Sequence, residues 1–346
     1  MSGSQWGTGS AGPARSGRRA LIFFEVLAEF AATTQDPRVA AVHRRYDVPA
    51  RVAVRGRPGV GRHTVAAALA AAGVTVAGPG PAEDPPDVTV VVVAETAKPE
   101  DLALLRDGGP ALMVLNKADL GGAGAGGPVT AAQHHAAELA ARLRCDVVAM
   151  VAHLAVVDLD ETLLAALRSL IDEPADMTSV DAFVASDHRL APAVRAQLLA
   201  ALDRFGLAHA VLGVADGATA PTLTTRLRAL SGVQQVVAAL ETATAPLRYH
   251  AICAAQRELR LLAARTGDED LEQFLRGDDV VIAAMAAAVD VVHAAGIDVD
   301  RGTDRAAHLR RAVYWRRYAR GPVDRLHAAC AADISRGSLR LLAGTS

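Results

Sequence analysis

Residues 51–64 read RVAVRGRPGVGRHT, and an alanine-rich run follows them. The apolar alternation of residues 51–55 predicts a strand, the glycines at 56, 59 and 61 a tight loop, and residues 64–72 a helix. In that order of strand, glycine loop and helix, successive backbone N–H groups can turn inward around an anion, and the helix N-terminus adds its positive dipole. A glycine loop alone is also an ordinary turn, so the reading needs support from elsewhere in the chain.

Working outward, further strands are predicted at 88–95, 111–115 and 146–151, with helices at 99–106, 131–144 and 160–171 between and after them. The nearly continuous Val and Leu content of these strands suits burial on both faces, as in a mostly parallel sheet covered by helices. Upstream, helical spacing is found over residues 18–34, and Pro37 opens a second short helix that ends near Asp47. Beyond residue 187 the periodicity is helical, over 190–205, 223–230, 236–264, 271–295, 304–319 and 323–342, with a weak point at Gly337. The fold expected is α/β followed by an all-α region. Its divisions are a disordered Gly- and Ser-rich tail (1–17), N-terminal helices (18–48), a sheet domain (49–172), a linker containing Pro174 (173–187) and a helical domain (188–346).

A chain of 346 residues is long enough for two domains, and 51% hydrophobic with 21% charged residues belongs to a folded globular protein. A formal net charge of -2 gives no global attraction to nucleic acid or anionic lipid, so nucleic acid is not an expected partner. Cys145, Cys253 and Cys330 are an odd set without metal-ligand spacing and fit reduced thiols of a cytoplasmic protein. The first residues lack the apolar core of a signal peptide, and the longest apolar run, residues 280–289, is too short to span a bilayer, so no transmembrane helix is predicted.

At the end of the predicted strand 111–115 stands Asn116-Lys117-Ala118-Asp119. Asn occurs only at Asn116 and Lys only at Lys98 and Lys117, so these scarce residues fall side by side at one strand end. The tetrapeptide resembles the guanine-specificity motif of the P-loop GTPases. The resemblance implies that Asp119 accepts hydrogen bonds from the guanine ring N–H and amino group, that Asn116 holds the loop and base edge, and that the Lys117 stem packs on the ring. A carboxylate facing two donors suits guanine and repels the acceptor of adenine. On the same resemblance Gly56, Gly59, Val60, Gly61, Arg62, His63 and Thr64 form the phosphate loop, and the backbone N–H of Ala152, in Val151-Ala152-His153, meets the guanine oxygen.

The departures from that pattern are specific. Arg62 stands in the place of Lys, His63 in the place of the magnesium-binding Ser or Thr, and Thr64 comes one residue too late. Between Thr64 and the strand at Val88 there is too little chain for two switch regions. No Asp-x-x-Gly precedes that strand, and residues 77–86 read as a Gly- and Pro-rich bypass. No catalytic residue is assignable and no metal-ligand set is present; Mg2+ accompanies GTP or GDP in this family, but its ligands cannot be assigned here.

In layout the chain is similar to Era-like or dynamin-like members of the translation-factor-related class, with helices before and after the G domain. The implied function is guanine-nucleotide binding with weak or absent GTP hydrolysis, in a regulatory or interaction module. The alternatives are an active dynamin-like or Era-like GTPase and a nucleotide-free scaffold. The partners implied are the guanine nucleotide and a protein partner or second copy engaged through the helical domain. The basic aromatic stretch from Arg310 to Arg320 reads first as a bundle helix with its arginines in water and second as a surface for anionic lipid in a peripheral membrane contact, for nucleic acid or for an acidic partner. His134, His135 and the acids at 268–270 read as surface or helix-start residues.

Overall fold

A computed structural model describes residues 17–78, 85–106, 109–122 and 126–344. The expected tail lies outside these residues except for Gly17, and so does the middle of the 77–86 bypass. The chain divides into two compact units, one running from Ala50 to Leu240 and the other combining the residues before Ala50 with those from Glu241 onward.

In chain order, α1 (Gly17–Thr34) and α2 (Pro37–Tyr46) precede β1 (Val52–Gly56), α3 (Arg62–Ala71), β2 (Val88–Ala94), α4 (Pro99–Leu105), β3 (Ala111–Asn116), α5 (Pro128–Leu143) and β4 (Val147–Met150). Then come α6 (Ala152–Ala155), α7 (Glu161–Asp172), α8 (Val180–Ala185), α9 (Pro192–Ala215), α10 (Ala220–Leu230) and α11 (Val233–Thr266). The chain closes with α12 (Glu269–Arg276), α13 (Asp278–Ala294), α14 (Arg305–Tyr318) and α15 (Arg325–Gly344). The four strands form one parallel sheet in the order β1-β2-β3-β4. Gly56 pairs with Val92, and Asn116 with Ala94 and Met150, so the carboxyl ends of all four strands and the loops that leave them gather at one end.

The unbroken Val and Leu runs are accounted for by cover on both faces. Val90, Val92, Leu112 and Val114 pack with Val65 and Leu69 of α3 and with Val236 and Leu240 of α11. The alternate residues Val91, Val93, Met113 and Leu115 belong to a second core with Leu164 and Leu167 of α7, Leu198, Leu202 and Leu207 of α9 and Leu227 of α10. That second core is why the boundary expected at 173–187 does not coincide with the division between units. Helices that read as a separate helical domain supply one cover of the sheet. The expected linker is itself folded, with Ser179 capping α8 and Phe183 fully buried. Arg195 of α9, also buried, clasps this segment by donating to the Phe183 carbonyl (2.6 Å), the Ser186 hydroxyl (2.7 Å) and the Ser186 carbonyl (2.8 Å).

Helix α9 is long and apolar enough to cross a membrane by length and composition, which the sequence reading did not anticipate. Leu198, Leu202, Leu207 and Ala210 nevertheless bury one side of it in the sheet unit, and its helical backbone breaks at Asp203. The single helix expected over 271–295 is two, α12 and α13, divided at Gly277 with its extended backbone.

The other unit is all helical. Phe23, Phe24 and Leu27 of α1 pack in one core with Tyr249 and Ile252 of α11, Ala284, Ala288 and Val291 of α13, Trp315 of α14 and Ile334 of α15. In the basic stretch Arg310, Arg316, Arg317 and Arg320 are exposed, whereas Arg311 is buried and donates to the carbonyls of Asp300 (2.7 Å) and Gly302 (3.1 Å) and to the Ser338 hydroxyl (2.9 Å). Helix α15 runs unbroken through Gly337. This glycine is buried where α13 approaches so closely that a Cβ would stand 2.5 Å from Met285 Sδ and 2.6 Å from Met285 Cβ. Gly337→Ala is therefore expected to destabilise this unit by about 1–3 kcal/mol through overpacking, read as a lower urea midpoint at unchanged m-value.

Candidate functional site

The loop between β1 and α3 owes its shape to close backbone approaches. At Gly56 a Cβ would meet the Val92 carbonyl oxygen at 2.5 Å, and at Gly61 it would collide with the Asn116 amide nitrogen. Gly61 also has φ 85°, in the left-handed region that residues with a side chain rarely adopt. No side chain caps α3, so the N–H groups of its first turn face the loop mouth without a competing oxygen. Arg62 turns back across the loop, its Nη1 donating to the Gly56 carbonyl at 3.0 Å. Val60 is buried, Gly59 and His63 are exposed, and Thr64 is half-buried.

Asn116, the last residue of β3 and 5% exposed, holds this end of the sheet together. Its Nδ2 donates to the Val60 carbonyl at 2.9 Å, and its Oδ1 accepts the Ala152 N–H at 3.1 Å. One carboxamide thus joins the glycine loop, the end of β3 and the start of α6. The Ala152 N–H, which the family resemblance assigns to a guanine oxygen, is engaged by Asn116.

Lys117 follows with φ 60° and an exposed side chain, and Asp119 lies half-buried in the 3-10 turn Ala118–Leu120. Burial pushes the Asp119 carboxyl above its ordinary range and the Asp203 charge adds to this, against its own backbone hydrogen bond and the charges of His153 and Lys117. His153 Nε2 is buried and has no hydrogen-bond partner among the described residues.

The structure thus brings Gly56, Val60, Gly61, Arg62, Asn116 and Ala152 together at the sheet's carboxyl end. Lys117 and Asp119 follow Asn116 in the chain, and the charges of Asp203, His153 and Lys117 act on the Asp119 carboxyl. A cavity of about 270 Å³ runs along β4, lined by Ala118, Gln133, Val147, Ala149, Ser231 and Gln235 among others, and neither Asp119 nor the glycine loop lines it. Among the described residues no group of three or more His, Cys, Asp or Glu is placed to hold a metal ion.

Three residues escaped the sequence reading. Arg57, inside the loop, donates from Nε to both oxygens of Asp101 (3.0 and 3.1 Å). Asp101 is fully buried and also accepts the Lys98 N–H at 3.0 Å, so one carboxylate caps α4 and anchors the glycine loop. The acid three residues after Lys98 at a helix start was the available signal, pointing to a cap but not to its arginine partner. Asp203 had no signal, because helical periodicity continues through it.

No protein-family model matches the chain, and no curated protein or solved structure matches it.

Two outcomes follow from this geometry. Asn116→Ala orphans the buried Ala152 N–H and Val60 carbonyl, at about 1–3 kcal/mol for each group, which denaturant unfolding would register as a lowered midpoint. For Asp119, a carboxyl raised by folding makes the ionised form the costly one above its folded pKa, and this cost vanishes below the unfolded value. Asp119→Asn is accordingly expected to stabilise the protein at neutral pH, with the gain shrinking as pH falls through the carboxylate range; a gain that grows on acidification would contradict this account.

Proposed function

We propose that the sheet unit is a reduced P-loop G domain that binds guanine nucleotide with weak or absent GTP hydrolysis and serves as a regulatory or interaction module. The observation that carries the reading is the Asn116 carboxamide, which fastens the glycine loop to the strand end bearing Lys117 and Asp119. That is the loop-holding role the family resemblance gives to this residue. Phosphate would meet the N–H groups of the Gly56–Gly61 loop and the uncapped first turn of α3, and the base would meet Asp119, with the Lys117 stem against its face.

Slow turnover is supported by what stands at the phosphate end. An exposed imidazole, His63, occupies the position where a hydroxyl would ligate magnesium, and Arg62 is committed to the Gly56 carbonyl. Even a complete Ras-type site hydrolyses GTP at only about 0.0004 per second without its activator.

Calorimetry with GDP, GTP and ADP, with and without magnesium, tests the proposal. The expected result is GDP binding at least tenfold tighter than ADP, reduced more by Asp119→Ala than by His63→Ala, with phosphate release no faster than about 0.0005 per second. ADP binding as tightly as GDP would remove Asp119 from the role given to it, and no binding of any nucleotide would leave a scaffold in place of the switch.

A further inference from the structure

Strand β4 ends the sheet, and among the described residues no strand pairs with its outer edge. The Asp146 carbonyl accepts the Met113 N–H at 2.9 Å, so in this parallel ladder the main-chain groups of residues 146, 148 and 150 turn toward β3. Those of Val147, Ala149 and Val151 point the other way. The Val151 N–H meets the Ser231 carbonyl there at 2.8 Å, whereas the N–H and C=O of Val147 and the N–H of Ala149 have no partner among the described residues. Gly232 lies against the same edge, where a Cβ on it would stand 2.7 Å from the Ala149 carbonyl oxygen. The turn between α10 and α11 thus lays its own main chain along β4 and stops beside Ala149.

Next to it is the cavity of about 270 Å³, bounded by the β4 edge, by Gln133 and Ala136 of α5 and by Leu230 and Gln235 of α10 and α11. No charged side chain of the described residues lines it. Half-buried main-chain groups are costly to leave unmet. A row of them two residues, about 6.6 Å, apart is the complement of another extended main chain. The bond from Val151 to Ser231 shows that this edge accepts one. The uncharged lining selects against an ionised side chain, which would lose its water without compensation. A cavity of this size admits a single extended segment of about three residues; the β4 edge of a second copy would arrive with the same helices beside it.

We propose that this cleft is a peptide-binding site, in which an uncharged, extended segment of a partner protein pairs its main chain with Val147 and Ala149 as Ser231 does with Val151. Affinity comes from the main-chain bonds, and selectivity from the neutral walls that Gln133 and Gln235 complete at the surface. The site goes beyond the nucleotide reading and does not depend on it.

The test is an NMR titration of the full, nitrogen-15-labelled chain with three acetylated, amidated pentapeptides: Thr-Val-Thr-Val-Thr, Glu-Val-Glu-Val-Glu and Lys-Val-Lys-Val-Lys. The neutral peptide is expected to shift the Val147 and Ala149 amides saturably, with a dissociation constant of about 1 mM, the scale of a few main-chain hydrogen bonds. The charged peptides should bind at least about tenfold more weakly. Ala149→Pro removes the outward N–H at a sheet edge, where proline is tolerated, and should weaken the neutral peptide about fivefold as read at Val147. Gln235→Glu, at an exposed position that folding does not depend on, should turn the preference toward the lysine peptide. The inference is overturned by amides that stay still with all three peptides at about 10 mM, by equal affinity for the three, by undiminished binding to Ala149→Pro, or by a preference that Gln235→Glu leaves unmoved. Movement of the same amides with protein concentration alone would also overturn it, giving the edge to a second copy.

Discussion

The organisation of the sheet's carboxyl end depends on one buried carboxamide. Asn116 offers a donor and an acceptor on a planar group, and both are used, one on the glycine loop and one on the backbone that opens α6. Each partner is a main-chain group withdrawn from water, where an unmet hydrogen bond is expensive. Neither an apolar residue nor a carboxylate could make this join, since the first has no polar atoms and the second, when ionised, cannot donate to Val60. The collision that a Cβ at Gly61 would suffer with the same amide is the other side of this fit.

A second fastening works by charge. Asp101 has no exposure, and its ionised form is met by Arg57 and by the Lys98 N–H. Breaking such a buried pair leaves a charge without compensation, so the pair fixes the position of the loop more than it adds to stability. Asn116 and Asp101 hold the loop through Val60 and Arg57, leaving the apex at Gly59 in solvent between the two attachments.

The sheet was legible because its strands carry a pattern with few rivals. The run from Val88 to Ala94 is too continuous for a half-exposed strand and too short for most helices, and in the structure both of its faces are covered. Asn116 stood out because the chain uses asparagine only there, and the structure gives its side chain the join between the glycine loop and α6. What could not be read was the ownership of helices. The apolar faces of α1 and α9 have the same periodicity, yet one joins the helical unit and the other covers the sheet, and periodicity says that a face must be buried without saying against what. The Arg57–Asp101 pair, 44 residues apart, and the break at Asp203 were hidden for a related reason, since each is set by tertiary packing rather than by local preference.

The helical unit is discontinuous, and this has a consequence for how the chain is made. Phe23, Phe24 and Leu27 leave the ribosome well before the residues that share their core, among them Tyr249, Val291 and Ile334, which are more than 200 positions downstream. At elongation rates of about 5–20 residues per second the wait is roughly 10–40 seconds, during which the whole of the sheet unit is synthesised and can fold. Helix α1 spends that interval as an amphipathic segment without its mate, its apolar face open to water or to a chaperone.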